Sequence, residues 1–512
     1  MAGTNRAELL SAVSKNDVDS LCLVTEKLFN EKTLEDTIVA FNKRQKTELW
    51  DDVLGMCMTT LLDSNNDEAE GSQTLAKMHR VLFCIARLAN ATLSSLGQLQ
   101  KDEEEDCPSS KSEGEVPPSL YETAVILHGI LPTLKSERTG IKNTMCTLFE
   151  SWWSLGIPGK EELVANTILC LLERSTQLDA AKTDVVRVMA IREVLLAADL
   201  SKESAGPLVN LLLQCSYHPQ FMTSPQGTQF LAFLFCLNQD LAQRLHDTIK
   251  IHLPSVPVTW GSKYGEIYFR AWQKSSDEQR EFLELRCIQD IMHNACRMRM
   301  GARGSLWYAL FKILSSLHAK KTQRGVLDML TRLYGPILWR SLMVCNSDVR
   351  LSAAHIMFDA FPLQDSALGC QEADKALQKQ LDAMHSLLQD PVPAVRVAAV
   401  TGVGRVLSIY WELIPPDVIK CFMTTLVEDL VYDITSPSVR EAVIKVMHEL
   451  CGNHLALAFL AQVLPTLANF VHDTSERVRV AMLELLLRLK GVRSIKYFHV
   501  VPVEHLLARL EV

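Results

Sequence analysis

The chain has 512 residues, of which 48% are hydrophobic, with a formal net charge of −8 and 14 cysteines. Its longest apolar run, Phe230 to Leu237, has eight residues, against roughly 20 needed to cross a bilayer, which excludes a membrane-spanning helix. The first ten residues lack the apolar core of a signal peptide, and no two cysteines form a CxxC pair, so we expect reduced core thiols in the cytosol or nucleus.

The N-terminal part, residues 1–99, has the apolar periodicity of amphipathic helices and predicts helical hairpins. Residues 100–119, QKDEEEDCPSSKSEGEVPPS, are rich in acidic residues, serine and proline and almost free of apolar side chains. Such a segment cannot offset its ordering entropy by burial, which predicts a disordered acidic loop.

Residues 120–332 carry a weaker apolar repetition that we interpret as degenerate HEAT-like repeats. One helical stripe is expected at Ile141, Met145, Leu148, Phe149 and Trp152, and another, 45 residues later, begins at Val186 and Arg187.

Between residues 333 and 490 one 11-residue pattern recurs four times. Each copy opens with Val followed by Arg, and small or apolar residues follow the Val at +3, +4, +7, +8 and +11, which draws one apolar stripe along an α-helix. The arginines are 46, 44 and 39 residues apart, the period of HEAT and armadillo hairpins. Since no such hairpin can bury its apolar face alone, the sequence predicts an all-α fold, an α-solenoid of HEAT-type hairpins. The four pairs are Val349-Arg350, Val395-Arg396, Val439-Arg440 and Val478-Arg479.

Polar residues mark where these four helices begin. Asn346, Ser436 and Ser475 stand three residues before the Val as candidate N-caps, and Pro393 and Pro437 suit a first helical turn. Aspartates in the preceding turns predict a structural ladder of ion pairs with the arginines, made of Asp390, Arg396, Asp433, Arg440, Asp473 and Arg479. The first copy has no aspartate in its turn, so Arg350 is expected to be the free arginine.

Residues 491–512 are interpreted as the start of a further repeat, and the chain stops at HLLARLEV without a polar capping helix. Because solenoids need such caps, we expect a fragment or a truncated product.

The negative net charge hides a basic segment. From Arg286 to Arg350 there are eleven basic and three acidic residues, a local charge of +8, while the rest of the chain carries −16. This excess predicts a surface that binds the DNA backbone by counterion release without reading sequence. The candidate residues are Arg297, Arg299, Arg303, Lys312, Lys320, Lys321, Arg324, Arg340 and Arg350.

Catalytic and metal-binding patterns fail on spacing. The sequence His448-Glu449 lacks the second histidine of a zinc-protease helix, and Cys287, His293 and Cys296 do not converge on one helical face. No nucleotide-binding or hydrolase signature is present. We therefore expect neither an enzyme nor a cofactor.

Several segments together resemble the vertebrate HEAT-repeat G-type non-SMC subunit of the condensin II complex, in its N-terminal part. The segments are RLYGPILWR at 332–340, NSDVR at 346–350, EIYFRAW at 266–272, CIQDIM at 287–292, YWELIPP at 410–416, HDTSERVRV at 472–480, SWW at 151–153 and AVSK at 12–15.

The resemblance implies a non-catalytic regulatory subunit that binds the kleisin subunit and works with the SMC ATPase pair. It further implies contact with DNA, chromatin and methylated histone tails, a place in the nucleus and on mitotic chromosomes, and a role in chromosome condensation and segregation. The alternative that the residues leave open is an importin-like transport or adaptor solenoid, although the local charge of +8 and the missing Trp-Asn array disfavour it.

Overall fold

The computed structural model describes residues 2–14, 17–66, 71–106, 116–135, 138–302 and 304–509, and every regular element among them is helical. The chain divides into two compact units, Met1–Leu237 and Asn238–Val512. This boundary lies inside the span 120–332 that the repeat pattern treats as one set.

In the first unit, helices pack against their neighbours along the chain. The longest of them, Gly71–Asp106, contacts the helices Leu34–Val39, Lys43–Asn66 and Thr139–Ser154, and the helix Ala165–Ser175 contacts Thr139–Ser154 and Lys182–Ala190. The helices are α1 (Ala2–Ser14), α2 (Val18–Asn30), α3 (Leu34–Val39), α4 (Lys43–Asn66), α5 (Gly71–Asp106), α6 (Pro118–Ile130), α7 (Thr139–Ser154), α8 (Ala165–Ser175), α9 (Lys182–Ala190), α10 (Val194–Ala197), α11 (Gly206–Cys215), α12 (Pro219–Thr223) and α13 (Pro225–Leu234).

In the second unit, a continuous stack is formed in chain order, each helix packing on the next, by Gln289–Arg297, Ser347–Ala360, Pro393–Tyr410, Pro437–Leu450 and Glu476–Leu489. Two π-helical segments, Leu283–Ile288 and Thr425–Asp429, directly follow the helices Asp277–Phe282 and Pro416–Thr424. The helices are α14 (Gln239–His252), α15 (Trp260–Lys274), α16 (Asp277–Phe282), α17 (Gln289–Arg297), α18 (Leu306–His318), α19 (Val326–Tyr334), α20 (Leu338–Ser341), α21 (Ser347–Ala360), α22 (Cys370–Leu388), α23 (Pro393–Tyr410), α24 (Pro416–Thr424), α25 (Pro437–Leu450), α26 (Leu457–Val463), α27 (Glu476–Leu489), α28 (Tyr497–Val500) and α29 (Val503–Leu507).

The four Val-Arg helices predicted from the sequence are α21, α23, α25 and α27. Their residues at +3, +4, +7, +8 and +11 from the Val are buried in all four helices. Each fully buried Val, Leu, Ile or Met side chain among them contributes about 1.5–3 kcal/mol. The predicted stripe is therefore the stacking surface of the second unit.

Small residues allow this close stacking. A Cβ on Gly402 of α23 would lie 2.2 Å from ring carbons of Phe358 on α21, and one on Gly404 would lie 2.4 Å from Val446 on α25. Ser352 on α21 is fully buried, and its hydroxyl donates to the carbonyl oxygen of Met298 at 2.7 Å. The helices can pack this closely because no larger side chain occupies these positions.

The predicted helix starts are correct, but two of the caps work differently. The Asn346 side chain accepts a hydrogen bond from the amide of Asp348, as expected for an N-cap. The hydroxyls of Ser436 and Ser475 make no cap bond. Instead, the preceding aspartates, Asp433 and Asp473, accept from the amides of Ser436 and Ser475.

The ladder of ion pairs is present, but it connects each arginine to the next repeat. Arg396 donates to the carboxylate of Asp433 at 2.7 and 3.0 Å, and Arg440 donates to that of Asp473 at 2.9 Å from two nitrogens. The remaining edge of each guanidinium donates to turn carbonyls of its own repeat, as Arg396 does to Asp390 at 2.7 Å. One arginine thus ties two repeats together.

Arg350 was expected to be free, and this expectation is wrong. It donates to Asp390 of the following repeat at 2.7 and 3.0 Å, and its side chain is only 12% exposed. The arginine that has no carboxylate partner among the described residues is Arg479. It donates to the carbonyl oxygens of Asp473 and Thr474, at 2.9 and 3.2 Å.

Two further expectations need correction. Residues 101–106 complete α5, and α6 begins at Pro118, so the expected loop at 100–119 is helical at both ends, while 107–115 lies outside the described residues. Glutamates favour helix and proline suits a first turn, which explains both ends. The stripe expected from Val186 is shifted by one residue, because Val185 and Val188 are buried and Val186 is 45% exposed.

Candidate partner-binding groove

An open groove of about 910 Å³ lies on the second unit. Its walls are α14, the helical stretch from Leu285 through α17, and α20 with the turn that follows it. Three arginines line it, Arg286, Arg297 and Arg340, together with the ion pair of Lys250 and Asp290. We call this the basic groove.

The helix positions two of the arginines on one side of the groove. Arg286, His293 and Arg297 are separated by seven and four residues and all line the groove. These intervals return to the same face of a helix. Arg340 comes from α20, which packs against α17, so the cations face the groove from two elements.

Asp290, the carboxylate in the groove, has two internal partners on one of its oxygens. It accepts from Lys250 Nζ at 2.6 Å and faces the buried ring of His246 at 3.1 Å. These hydrogen bonds, from His246 first and then Lys250, hold its pKa well below the ordinary range of an aspartate. The charges of Lys250 and Asp290 therefore balance each other, and the net positive charge of the groove comes from the three arginines.

The three arginines carry unbalanced charge. Arg286, Arg297 and Arg340 are exposed, and within the described ranges their guanidinium groups have no hydrogen-bond or ion-pair partner. Apolar side chains line the groove with them: Leu285 is 46% exposed and Val344 is 37% exposed. The groove thus combines cations with apolar walls.

Several residues predicted to bind DNA are used inside the fold. Lys320 lies 2.8 Å from Glu266 and over the ring of Phe269 at 4.6 Å. Lys321 donates to the carbonyl oxygens of Ala360 and Phe361, and burial lowers its pKa to about 8. These lysines cannot serve as free phosphate contacts, and the pairing of Arg350 removes a third candidate.

The remaining candidates lie in different places. Arg299 is 82% exposed and lies 3.6 Å from the carboxylate of Asp348. Arg324 is exposed in the turn before α19, whereas Lys312 is half-buried over the ring of Tyr308 at 5.3 Å. Arg303 lies outside the described residues. Arg297 and Arg340 line the basic groove.

Sequence reasoning did not select Arg286 or Lys250. Arg286 was counted in the basic segment, and its spacing of seven residues to His293 and eleven to Arg297 was the available signal. Lys250 lies outside that segment, and nothing in the sequence pairs it with Asp290, which is 40 residues away.

The cysteines near the groove are core residues. Cys287 and Cys296 are buried, and burial raises the pKa of each thiol to about 12. Among the described residues, no three His, Cys, Asp or Glu side chains are arranged to hold a metal ion. Likewise, no described helix has the length and apolarity to cross a bilayer.

The stacked helices, with small residues at their contacts and arginine ties between repeats, define an all-α protein of the HEAT type. A family profile described as "Condensin II non structural maintenance of chromosomes subunit" matches residues 214–365. The chain is 33% identical over 519 residues to condensin-2 complex subunit G2 of Mus musculus, covering 99% of this chain and 44% of that protein. It is 33% identical over 490 residues to the same subunit of Homo sapiens, covering 94% and 42%.

The resemblance expected from the sequence is confirmed: over 94–99% of the residues of this chain, it is a homologue of condensin-2 complex subunit G2. It spans less than half the length of these relatives. A solved structure of karyopherin Kap121p bound to the extreme C-terminus of the protein phosphatase Cdc14p covers 99% of this chain and 48% of its own, at 12% identity and a TM-score of 0.37. That value is too low to support an argument for the importin-like alternative.

Proposed function

We propose that this chain is a non-catalytic scaffold subunit of a condensin II-type complex. The observation that carries the proposal is the identity of 33% to condensin-2 complex subunit G2 across 99% of the chain. The fold agrees with it, because stacked helical repeats offer extended surfaces for partners. The polar groups buried in the stack tie repeats together, as the pairing of Arg396 with Asp433 illustrates.

The partners of such a subunit are a kleisin and the SMC ATPase pair, and the place of action is the nucleus and the mitotic chromosome. There the subunit would support chromosome condensation and segregation, with methylated histone tails as a further contact. This part of the proposal comes from the homology alone.

Affinity capture from mitotic nuclear extract tests the assembly. Tagged chain is immobilised and its bound proteins are quantified by mass spectrometry against an unrelated helical-repeat protein. We expect enrichment of a kleisin together with both SMC ATPases. Enrichment of a Ran-type GTPase without them would favour the importin-like alternative, and enrichment of neither set would contradict the scaffold assignment.

Contact with DNA phosphate is the second part of the proposal. Of the candidates, Arg299 and Arg324 are exposed and lie outside the basic groove. If both contact phosphates, reversing their charge lowers the slope of log affinity against log salt by up to about 0.9 per contact. The matched control reverses the exposed Lys274 and Lys420. Equal slopes for the two double variants would contradict contact at these arginines.

A further inference from the structure

We propose that the basic groove binds an extended acidic peptide of a partner protein, with carboxylates on its arginines and apolar side chains between them. The first support is charge. Arg286, Arg297 and Arg340 are exposed and unpaired among the described residues, and Asp290 is held by Lys250 and His246. A guanidinium binds a carboxylate through two parallel hydrogen bonds, so each arginine is a complete site for one acidic side chain.

The second support is spacing. Arg286 and Arg297 are eleven residues apart along one helical stretch, which corresponds to roughly 16 Å at the α-helical rise. An extended peptide covers that distance in about five residues. Arginines so far apart suit several singly charged carboxylates along a peptide better than one phosphate group, which would require them to converge.

The third support is the apolar wall. Leu285 and Val344 are partly exposed, and Ile337 and Pro336 also line the groove. A duplex backbone gains nothing from such residues, since its phosphates bind through counterion release alone. Single-stranded nucleic acid stacks its bases on aromatic rings, and in the described chain no Phe, Tyr or Trp lines the groove. An acidic peptide with apolar residues uses both features.

Fluorescence anisotropy with the whole chain tests the proposal. The probe is a fluorescein-labelled peptide of about twelve residues, with two glutamates five positions apart, leucines between them and a serine-glycine background. A second peptide has glutamine in place of both glutamates, and a labelled DNA duplex serves as the competing ligand class. The groove variant is R286Q/R297Q/R340Q, and its matched control removes the same charge from exposed positions elsewhere on the unit, K274Q/K375Q/K420Q.

We expect the acidic peptide to bind the unmodified chain and the control variant equally. The groove variant should lose about tenfold in affinity for each arginine in contact, and the glutamine peptide should bind at least tenfold more weakly than the acidic one. Circular dichroism confirms that the variants remain folded, which is expected because the three side chains are exposed.

Equal binding of the two peptides, or an acidic peptide that binds the groove variant as well as the control, would overturn the proposal. So would a groove variant that loses only duplex affinity, because the groove would then be a nucleic-acid surface. The measurement uses the isolated chain, so its failure leaves assembly with a kleisin untouched.

Discussion

Replacing Asp433 by Asn tests whether the arginine ladder holds the second unit together. The carboxylate accepts two bonds from Arg396, and both side chains are about one-tenth exposed or less, at 11% and 7%. Neutralising it leaves a guanidinium almost without access to water, a change that costs about 3 kcal/mol at sites of this kind. The loss falls at the contact between α23 and α25, so it is a loss of coupling between repeats.

Hydrogen exchange of the α23 and α25 amides is the suitable measurement, because repeat arrays open in parts rather than all at once. A cost of about 3 kcal/mol accelerates exchange roughly 100-fold. Arg396→Met should cost less, since Asp433 keeps the bonds it accepts from Thr435 and Ser436. The double variant should therefore show a coupling energy of about 2 kcal/mol.

The exposed pair of Lys445 and Glu441 on α25 is the control. Its atoms are also 2.7 Å apart, but the lysine is 56% exposed, so its removal should change exchange only about twofold. If Asp433→Asn altered exchange no more than this control, or if the two ladder substitutions were additive within about 0.5 kcal/mol, the assignment of the ladder as an inter-repeat tie would be refuted.

Two further outcomes follow from the packing and from the pKa shifts. Gly402→Ala should destabilise the second unit by about 1–3 kcal/mol, because its Cβ would overlap the ring of Phe358. The control is Gly55→Ala, which has open space around it and should be neutral or stabilising. Equal shifts of the thermal unfolding temperature for the two variants would contradict the close packing at Gly402. Burial alone would raise the pKa of Asp433 and Asp473, but the hydrogen bonds they accept outweigh it and lower the pKa below the ordinary 3.8. Their stabilisation is therefore present above the unfolded pKa and lost as pH falls through the lower folded value, so circular dichroism in mild urea should show a loss of helix below about pH 4 that is smaller when both are asparagine.

The sequence predicts the regular repeats well because their signal is local. Apolar spacing, first-turn prolines and the Asn346 cap all act within one helix, and the structure has the four helices where the pattern requires them. The partner of each arginine is a different problem. Asp390 is six residues from Arg396 and 40 from Arg350 in the chain. Only the stacked repeats show that its carboxylate accepts hydrogen bonds from Arg350, while its backbone carbonyl accepts one from Arg396.

The groove was less predictable for the same physical reason. Lys320 and Lys321 belong to the same basic segment as Arg297 and Arg340, but both have internal partners. Lys320 pairs with Glu266, 54 residues away, and Lys321 donates to the carbonyl oxygen of Ala360, 39 residues away. Proximity along the chain says nothing about those partners. The spacing of Arg286 from Arg297 does carry information, since it places both on one helical face.

A basic segment on a helical-repeat protein is therefore not evidence of a polyanion site until its internal partners are known. Arg350 and Lys321 add to the charge of the segment, but their hydrogen bonds to Asp390 and to backbone carbonyls are already made, and a ligand would have to break them. A ligand at Arg297 has no such bond to break among the described residues. Unbalanced cations and apolar walls occur together in the basic groove, which makes this groove, rather than the basic segment as a whole, the place where the second unit can gain free energy from an acidic partner.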